Sequence, residues 1–161
     1  MKSIYIETSI PSYLTARPSS DVRAAAWQQI TYQWWDEERK KYDLFISELV
    51  ITEASEGHPE AARRRLKSLE NIAELAIDQE MSDLATALMA GGGIPRASEA
   101  DALHIAIAAI QRINYLLTWN CRHINNASAK PIIRKLCEKA GYVCPEICTP
   151  LELLSEDSDY V

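Results

Sequence analysis

Four polar residues lie next to the ends of predicted strands or helices, where they could form one chemically active site. Glu7 directly follows the first predicted strand, and Glu53 lies in a short predicted helix after the second strand. Asp101 lies in the first turn of a predicted helix, and Asn120 follows the last clear strand. Three carboxylates and an amide carbonyl offer only oxygen ligands, which suit Mg²⁺ or Mn²⁺ rather than zinc. These residue types therefore raise the hypothesis of a divalent-cation site.

Each of the four residues also has a simpler interpretation when it is taken alone. A carboxylate in the first helical turn is stabilised by the helix dipole by about 0.3–1 kcal/mol, so Asp101 needs no function. Glu7 and Asn120 would then be ordinary polar residues at strand ends, and Glu53 would lie on a solvated helix face. Their joint placement is what favours a shared site.

Short β-rich runs and helical segments alternate along the chain and must position these residues. Strands are predicted at residues 3–6, 42–46, 72–77, 115–118 and 147–148. Helices are predicted at residues 20–41, 48–56, 59–70, 80–90, 98–112 and 127–139. This alternation predicts right-handed crossovers and a three-layer α/β/α domain with a mostly parallel central sheet. Ligands of such sheets bind outside the carboxyl ends of the strands, where the four polar residues are expected to meet.

Length and composition agree with one globular domain. The chain has 161 residues, of which 47% are hydrophobic and 25% charged. No apolar run is long enough for a membrane helix and no signal-peptide pattern is present, so we expect a cytoplasmic protein that does not bind membranes. We assign the domain to residues 1–155 and an acidic C-terminal tail to residues 156–161.

The net charge of −6 argues against a broad electrostatic surface for nucleic acid, which usually makes a domain basic. It does not exclude nucleic acid as a substrate. A site that gathers carboxylates around a divalent cation is acidic by construction, and the bound ion reverses the local charge.

The cysteines and one histidine allow two interpretations each. Four cysteines fall late in the chain, at Cys121, Cys137, Cys144 and Cys148. Their gaps lack the tight paired spacing of zinc ribbons, so we favour reduced thiols over a zinc site made by the last three cysteines with Cys121 or His123. His104 lies in mid-helix three residues after Asp101, and we interpret it as a packed histidine rather than a catalytic one.

The long helix predicted at residues 20–41 has two parallel stripes of large side chains. The stripes are Ala26, Ile30 and Trp34, and beside them Trp27, Thr31 and Trp35. One stripe is needed for the core, and a second aromatic stripe favours a partly exposed dimer or partner face. Packing of both stripes in the core is the alternative.

Four segments together resemble a known family. They are the opening run Ile4–Ser9, the pair Thr52–Glu53, the segment Ala100–Ala108 and the late run Leu117–Asn120. Their order is similar to that of PIN domains, and they most resemble the VapC-like toxins of prokaryotic toxin–antitoxin pairs. The resemblance extends over about residues 3 to 155, with the opening strand and the Asp101 helix as its most specific parts.

The resemblance implies roles for the polar residues. Glu7, Glu53 and Asp101 stand at the family's catalytic, metal-binding acids, and Asn120 stands where a fourth, more variable acid is usual. The first of these acids is commonly Asp, so Glu7 extends its carboxylate one methylene further into the site. The neutral amide of Asn120 should weaken the binding of the metal.

Three further residues are predicted to support the site. Thr118 is placed to hydrogen-bond a ligand carboxylate and so to orient it. Ser9 and Arg122 stand beside the site, where they are predicted to meet the backbone of the nucleic acid.

The function implied by the resemblance is that of a Mg²⁺-dependent (or Mn²⁺-dependent) endoribonuclease. The chain would be the toxin of a toxin–antitoxin pair, with RNA as substrate, an antitoxin protein as partner and a homodimer as its assembly. Two alternatives stay open. One is a PIN-fold module that binds RNA or a partner and has lost catalysis, because its fourth ligand is neutral. The other is a processing nuclease without an antitoxin.

Overall fold

A five-stranded, all-parallel sheet forms the centre of the domain, as the alternation of strands and helices predicted. The computed structural model describes residues 1–155, and the predicted acidic tail lies outside the described residues. The strands run in the order β3-β2-β1-β4-β5. Their bounds are Ser3–Ile6 (β1), Asp43–Ser47 (β2), Ala73–Leu75 (β3), Tyr115–Leu117 (β4) and Glu146–Cys148 (β5).

Seven α-helices within residues 1–155 form the outer layers. Their bounds are Ser9–Thr15 (α1), Val22–Gln33 (α2), Glu48–Ala54 (α3), Pro59–Ser68 (α4), Gln79–Ala90 (α5), Glu99–Ile110 (α6) and Lys130–Lys139 (α7). The last helix begins later than predicted. The Asn126 side chain accepts hydrogen bonds from the backbone of Ser128 and Ala129, which favours a turn there, and Pro131 then suits the first helical turn.

The burial of the central strand shows that the sheet is covered on both faces. Ile4, Tyr5 and Ile6 are fully buried, as expected for a parallel strand that has a helix layer on each side. The backbone of β1 pairs with β2 through Ile4 and Leu44 and with β4 through Ile4 and Tyr115. The carboxyl ends of β1 and β4 therefore lie side by side.

The predicted exposed tryptophan stripe is wrong at Trp35, which is 8% exposed. The helix predicted at residues 20–41 is regular only to Gln33 and continues as a π-helical turn, Trp34–Glu38, and a 3₁₀ turn, Arg39–Lys41. Thr31, in the regular part of this helix, is fully buried as well, so the second stripe packs in the core, and the Arg39 guanidinium lies over the Trp35 ring. Trp27 is half-buried and stacks on Trp119.

No helix within residues 1–155 combines the length and the apolar character that a membrane crossing needs.

Candidate metal and active site

The fold brings the four predicted polar residues to the carboxyl edge of the sheet. Glu7 follows β1, and its backbone N–H donates to the carbonyl of Leu117 at the end of β4, 3.1 Å away. Glu53 comes from α3, which starts directly after β2, and Asp101 comes from the first turn of α6. One ligand atom each of Glu7, Glu53 and His104 lies within 4.8 Å of the others.

Glu7 is buried and is held through a single oxygen. Its Oε2 accepts hydrogen bonds from the backbone N–H of Ser9 at 3.1 Å, from Ser9 Oγ at 2.5 Å and from Thr118 Oγ1 at 2.7 Å. Ser9 Oγ in turn accepts from the backbone N–H of Trp119 at 2.8 Å, so the loops after β1 and β4 are tied together. The carboxylate of Glu7 is thus fixed by neutral donors from both loops.

Glu53 is also held through one oxygen, by residues from two different elements. Its Oε1 accepts from Thr8 Oγ1 and from His104 Nε2, both at 2.6 Å. Burial raises the pKa of this carboxyl, but the hydrogen bond and the charge of His104 outweigh burial, and the pKa is lowered. Glu53 is therefore held in its ionised form.

His104 links Glu53 to the core. The side chain is fully buried, which agrees with its interpretation as a packed histidine, but both ring nitrogens are hydrogen-bonded. Nε2 faces Glu53, and Nδ1 lies 2.7 Å from the hydroxyl of Tyr5, which lies 2.7 Å from Ser47 Oγ. Burial lowers the pKa of this imidazole, but the hydrogen bond to Glu53 and the nearby carboxylates outweigh it, and the pKa is raised.

Asn120 contacts Asp101 directly. The backbone N–H of His123 lies 3.1 Å from the Asn120 side chain, and because an N–H can only donate, the atom facing it is the carbonyl Oδ1. The amide Nδ2 of Asn120 then donates to Asp101 Oδ1 at 3.1 Å. Burial raises the pKa of Asp101, and the charge of Glu7 raises it further against the opposing effect of Asn120.

The three carboxylates share one pattern. In each, one oxygen is hydrogen-bonded, while Glu7 Oε1, Glu53 Oε2 and Asp101 Oδ2 have no hydrogen-bond partner in residues 1–155. Within the same residues, Trp34 Nε1 is the side-chain nitrogen or oxygen that is both buried and without a hydrogen-bond partner. The three carboxylate oxygens are not in this class, so each of them is accessible to solvent. Carboxylates that ligate metals are oriented in this way by partners on the other oxygen.

This donor set fits a hard divalent cation. The open atoms are carboxylate oxygens, the ligands that Mg²⁺ and Mn²⁺ prefer. His104 lies within the cluster, but its two ring nitrogens are both engaged, so it serves to orient Glu53 in this geometry. Asn120 likewise uses Oδ1 for His123 and Nδ2 for Asp101, and its predicted role as fourth ligand remains a prediction.

Several contributors were not predicted from the sequence. Thr8 and Tyr5 lie close to Glu7 in the sequence, but their partners are distant. Thr8 contacts Glu53, 45 positions away, and Tyr5 contacts His104, 99 positions away. The position of His104 near the site could have been predicted, because its spacing of three from Asp101 places both side chains on one face of the helix. Arg122 is exposed and has no side-chain partner in residues 1–155, and its predicted contact with nucleic acid is untested.

Two solved structures share this fold. Mycobacterium tuberculosis VapC20, a sarcin–ricin loop cleaving toxin, matches with a TM-score of 0.58 at 15% identity over 87% of this chain and 96% of that one. VapBC2 from Rickettsia felis, bound to a DNA fragment from its promoter, matches with a TM-score of 0.59 at 15% identity over 91% of this chain and 98% of that one. No family model matches the sequence, and no curated protein matches it significantly.

The matches define the class of the fold as a PIN-like α/β/α domain. The fold that the resemblance of the sequence segments predicted is therefore confirmed, since both matches extend over most of both chains.

Proposed function

We propose that this chain is a divalent-cation-dependent endoribonuclease that cleaves RNA phosphodiester bonds, and that it is the toxin of a toxin–antitoxin pair. The observation that carries the proposal is the arrangement of Glu7, Glu53 and Asp101. Each has one oxygen fixed by the protein and one oxygen open, at the edge of the sheet where ligands of such folds bind.

Glu7, Glu53 and Asp101 would hold Mg²⁺ or Mn²⁺. Such an ion, when bound, supplies a Lewis acid that lowers the pKa of a water and offsets the charge of the attacked phosphate. Ser9 and Thr118 orient Glu7 by donating to Oε2, so that Oε1 faces the site.

The remaining residues set the charge and orientation of the other two acids. His104 and Thr8 orient Glu53, and the hydrogen bond from His104 keeps its carboxylate ionised at neutral pH. Asn120 fixes Asp101 through Oδ1, so that Oδ2 stays open. All three acids are thus pre-oriented before a cation or substrate binds.

The likeness to the two solved structures supports a proposal for the partners. VapC20 is a sarcin–ricin loop cleaving toxin, and VapBC2 is bound to a DNA fragment from its promoter. For this chain we propose RNA as substrate, an antitoxin protein as partner, a homodimeric assembly and a cytoplasmic location.

A second candidate function is that of a PIN-fold module that binds RNA without cleaving it. The observation that favours it is the amide of Asn120 at the position of the fourth acid, with both its polar atoms used within the protein.

A cleavage assay with the purified full chain separates the two functions. We expect single-stranded RNA to be cut only when Mg²⁺ or Mn²⁺ is added, and Asp101→Asn and Glu53→Gln to abolish cutting while circular dichroism shows an intact fold. Binding of RNA without cleavage at saturating Mg²⁺ and Mn²⁺ would favour the binding module. Co-purification with the product of the adjacent gene tests the antitoxin, and its absence would favour a processing nuclease.

A further inference from the structure

A groove with a cavity volume of about 430 Å³ lies beside the carboxylate cluster. It runs between the turn that follows α5 and the segment that leads into α7. Its lining includes the apolar side chains of Met89, Ile94 and Ile132 and the basic side chains of Arg96, Arg122 and His123. The groove therefore offers a hydrophobic surface and cationic groups to the same ligand.

The charge of the groove is opposite to that of the chain. The net charge of the protein is −6, yet no Asp or Glu side chain of residues 1–155 lines this groove. Arg96 and Arg122 are exposed, and neither forms an ion pair or side-chain hydrogen bond within residues 1–155. By contrast, Arg63 and Arg134 pair with glutamates. Within the described part of the chain, two guanidinium groups without an ion pair thus line a cavity that has no acidic side chain.

The groove is connected to the carboxylate cluster through short links. Arg96 lies in the 3₁₀ turn that leads into α6, five residues before Asp101. His123 lines the groove, and its backbone N–H donates to Asn120 Oδ1, while Asn120 Nδ2 donates to Asp101. The groove and the carboxylate cluster are therefore joined by neighbouring residues of the chain and by the hydrogen bonds of Asn120.

We propose that this groove binds the nucleotide next to the scissile phosphate of a single-stranded RNA. Arg96 and Arg122 contact its phosphate groups, because the guanidinium fork matches phosphate oxygens. Its base lies against Met89, Ile94 and Ile132, which requires a base that is free of a duplex stack. The proposal rests on the proposed function and adds to it a site that holds the substrate beside the reacting bond.

Charge-neutralising variants test the phosphate contacts. Binding of fluorescein-labelled single-stranded RNA of mixed sequence is measured by anisotropy across a range of salt, in the Asp101→Asn background so that the RNA is not cut. We expect Arg96→Gln and Arg122→Gln each to weaken binding about five- to tenfold. Each should also reduce the slope of log affinity against log salt by about 0.7.

Arg112→Gln is the matched control for these two variants. Arg112 is also exposed and without a side-chain partner in residues 1–155, but it follows the opposite end of α6 from Asp101. The control should keep the affinity and the salt slope of the background. If Arg96→Gln and Arg122→Gln behave like Arg112→Gln, the groove does not bind the RNA backbone and the proposal is overturned.

The contact between the base and the apolar side chains is tested by removing either the base from the RNA or one of those side chains from the protein. Ile132 is 41% exposed, so Ile132→Ser leaves the core intact. We expect it to weaken binding of ordinary RNA and to leave binding of an abasic RNA backbone unchanged, while Val143→Ser, on the exposed surface away from this groove, affects neither. An equal loss with both RNAs would overturn the base contact.

Cleavage by the unmodified chain separates this proposal from the proposed function. If the chain cuts RNA but the arginine variants bind like the control, the groove proposal fails and the nuclease stands. If the chain cuts no RNA but binding depends on Arg96 and Arg122, the nuclease fails and the groove stands as an RNA-binding site. If the chain neither cuts nor binds RNA, both are overturned.

Discussion

Two glutamates of this chain are almost equally buried, but their hydrogen bonds differ. Glu38, which is 3% exposed, uses both oxygens within the protein. Its Oε2 pairs with Lys41 Nζ at 2.7 Å and its Oε1 accepts from Ser155 Oγ at 2.9 Å. Glu7, which is 6% exposed, has all three of its hydrogen bonds on Oε2, from the neutral groups of Ser9 and Thr118.

The difference supports the proposal that Glu38 is a structural carboxylate and that Glu7 is a ligand for a cation. A buried charge is stable when a counter-charge and hydrogen bonds satisfy it, and the ion pair of Glu38 with Lys41 supplies both inside the chain. Glu7 has an oriented carboxylate with one oxygen left for a ligand. Burial alone therefore does not distinguish the two proposed roles, and the distribution of hydrogen bonds over the two oxygens is the observation that favours a ligand role for Glu7.

The largest expected effect is on cleavage. Glu7→Gln should lower the rate of RNA cleavage at saturating Mg²⁺ by at least about 100-fold, comparable to the loss of one strongly used electrostatic group. Glu38→Gln, the matched change at an equally buried glutamate, should keep the wild-type rate. Single-turnover assays with both variants measure this. Equal losses in both would mean that Glu7 is no more catalytic than Glu38.

The next effect is on the affinity for the cation. Asn120→Asp should tighten Mg²⁺ binding about ten- to thirtyfold, or roughly 1–2 kcal/mol. The new carboxylate would face Asp101 Oδ1, where Nδ2 of Asn120 now lies 3.1 Å away, and a cation relieves the repulsion between them. Calorimetric titration measures the affinity, and the cleavage rate across the same Mg²⁺ range should rise at lower concentration.

The same variant can break the assignment of residue 120. If Asn120→Asp leaves the Mg²⁺ affinity unchanged, residue 120 acts only by orienting Asp101. If the unmodified chain neither binds Mg²⁺ nor cleaves RNA but the variant does both, the Asn at this position has converted the site into a binding module.

A third effect is the stabilisation of the fold by the cation. At a free Mg²⁺ concentration of about ten times Kd, binding to the folded state should add about 1.4 kcal/mol to the free energy of unfolding. For a domain of this size that raises Tm by about 3–6 °C, measurable by scanning calorimetry. Glu38→Gln should keep the Mg²⁺-dependent rise and Glu7→Gln should lose it. A rise that survives in Glu7→Gln would place the cation elsewhere.

The sequence predicted most of the fold because its signals are local. The apolar run Ile4–Ile6 and the segment that became α6 predict their own structure, and the sheet rule then places Glu7 and Asp101 at one edge. The contacts of Glu53 were not predictable in this way, since His104 lies 51 positions away. The prediction for Trp35 is wrong because helical spacing shows which side chains share a stripe but not how many stripes are buried, and Thr31 and Trp35 are both buried.

The contribution of Asn120 shows a different limit of the sequence. An amide at the position of an acid predicts a weaker metal ligand, because the residue type shows only which atoms are present and not what they contact. The structure adds what those atoms already contact, and the backbone N–H of His123 decides which end of the amide faces Asp101. The orientation of a side chain depends on such neighbours rather than on its own identity.

The smallest expected effect is on the pH dependence of stability, and it concerns Glu38. Burial raises the pKa of this carboxyl, but its bonds with Lys41 and Ser155 outweigh burial, so the pKa in the folded state lies below the ordinary value of 4.5. A carboxyl with a lowered folded pKa stabilises the fold above its unfolded pKa and loses that contribution as the pH falls through the folded value. Because the Lys41 side chain is 55% exposed, solvent screens the pair, and the contribution should be about 1 kcal/mol.

Urea unfolding of Glu38→Gln and the unmodified chain, without divalent cation, measures this contribution. We expect the variant to be less stable by about 1 kcal/mol at neutral pH, with the difference shrinking as the pH falls from about 4.5 through the lower pKa of the folded carboxyl. Glu7→Gln should behave differently at neutral pH, because it removes a buried charge that has no ion pair within residues 1–155 and leaves an amide oxygen for the same donors. Its stability without cation should match or exceed that of the unmodified chain. If Glu7→Gln instead destabilised the fold as much as Glu38→Gln does, Glu7 would be a structural carboxylate, and the distinction between the two glutamates would fail.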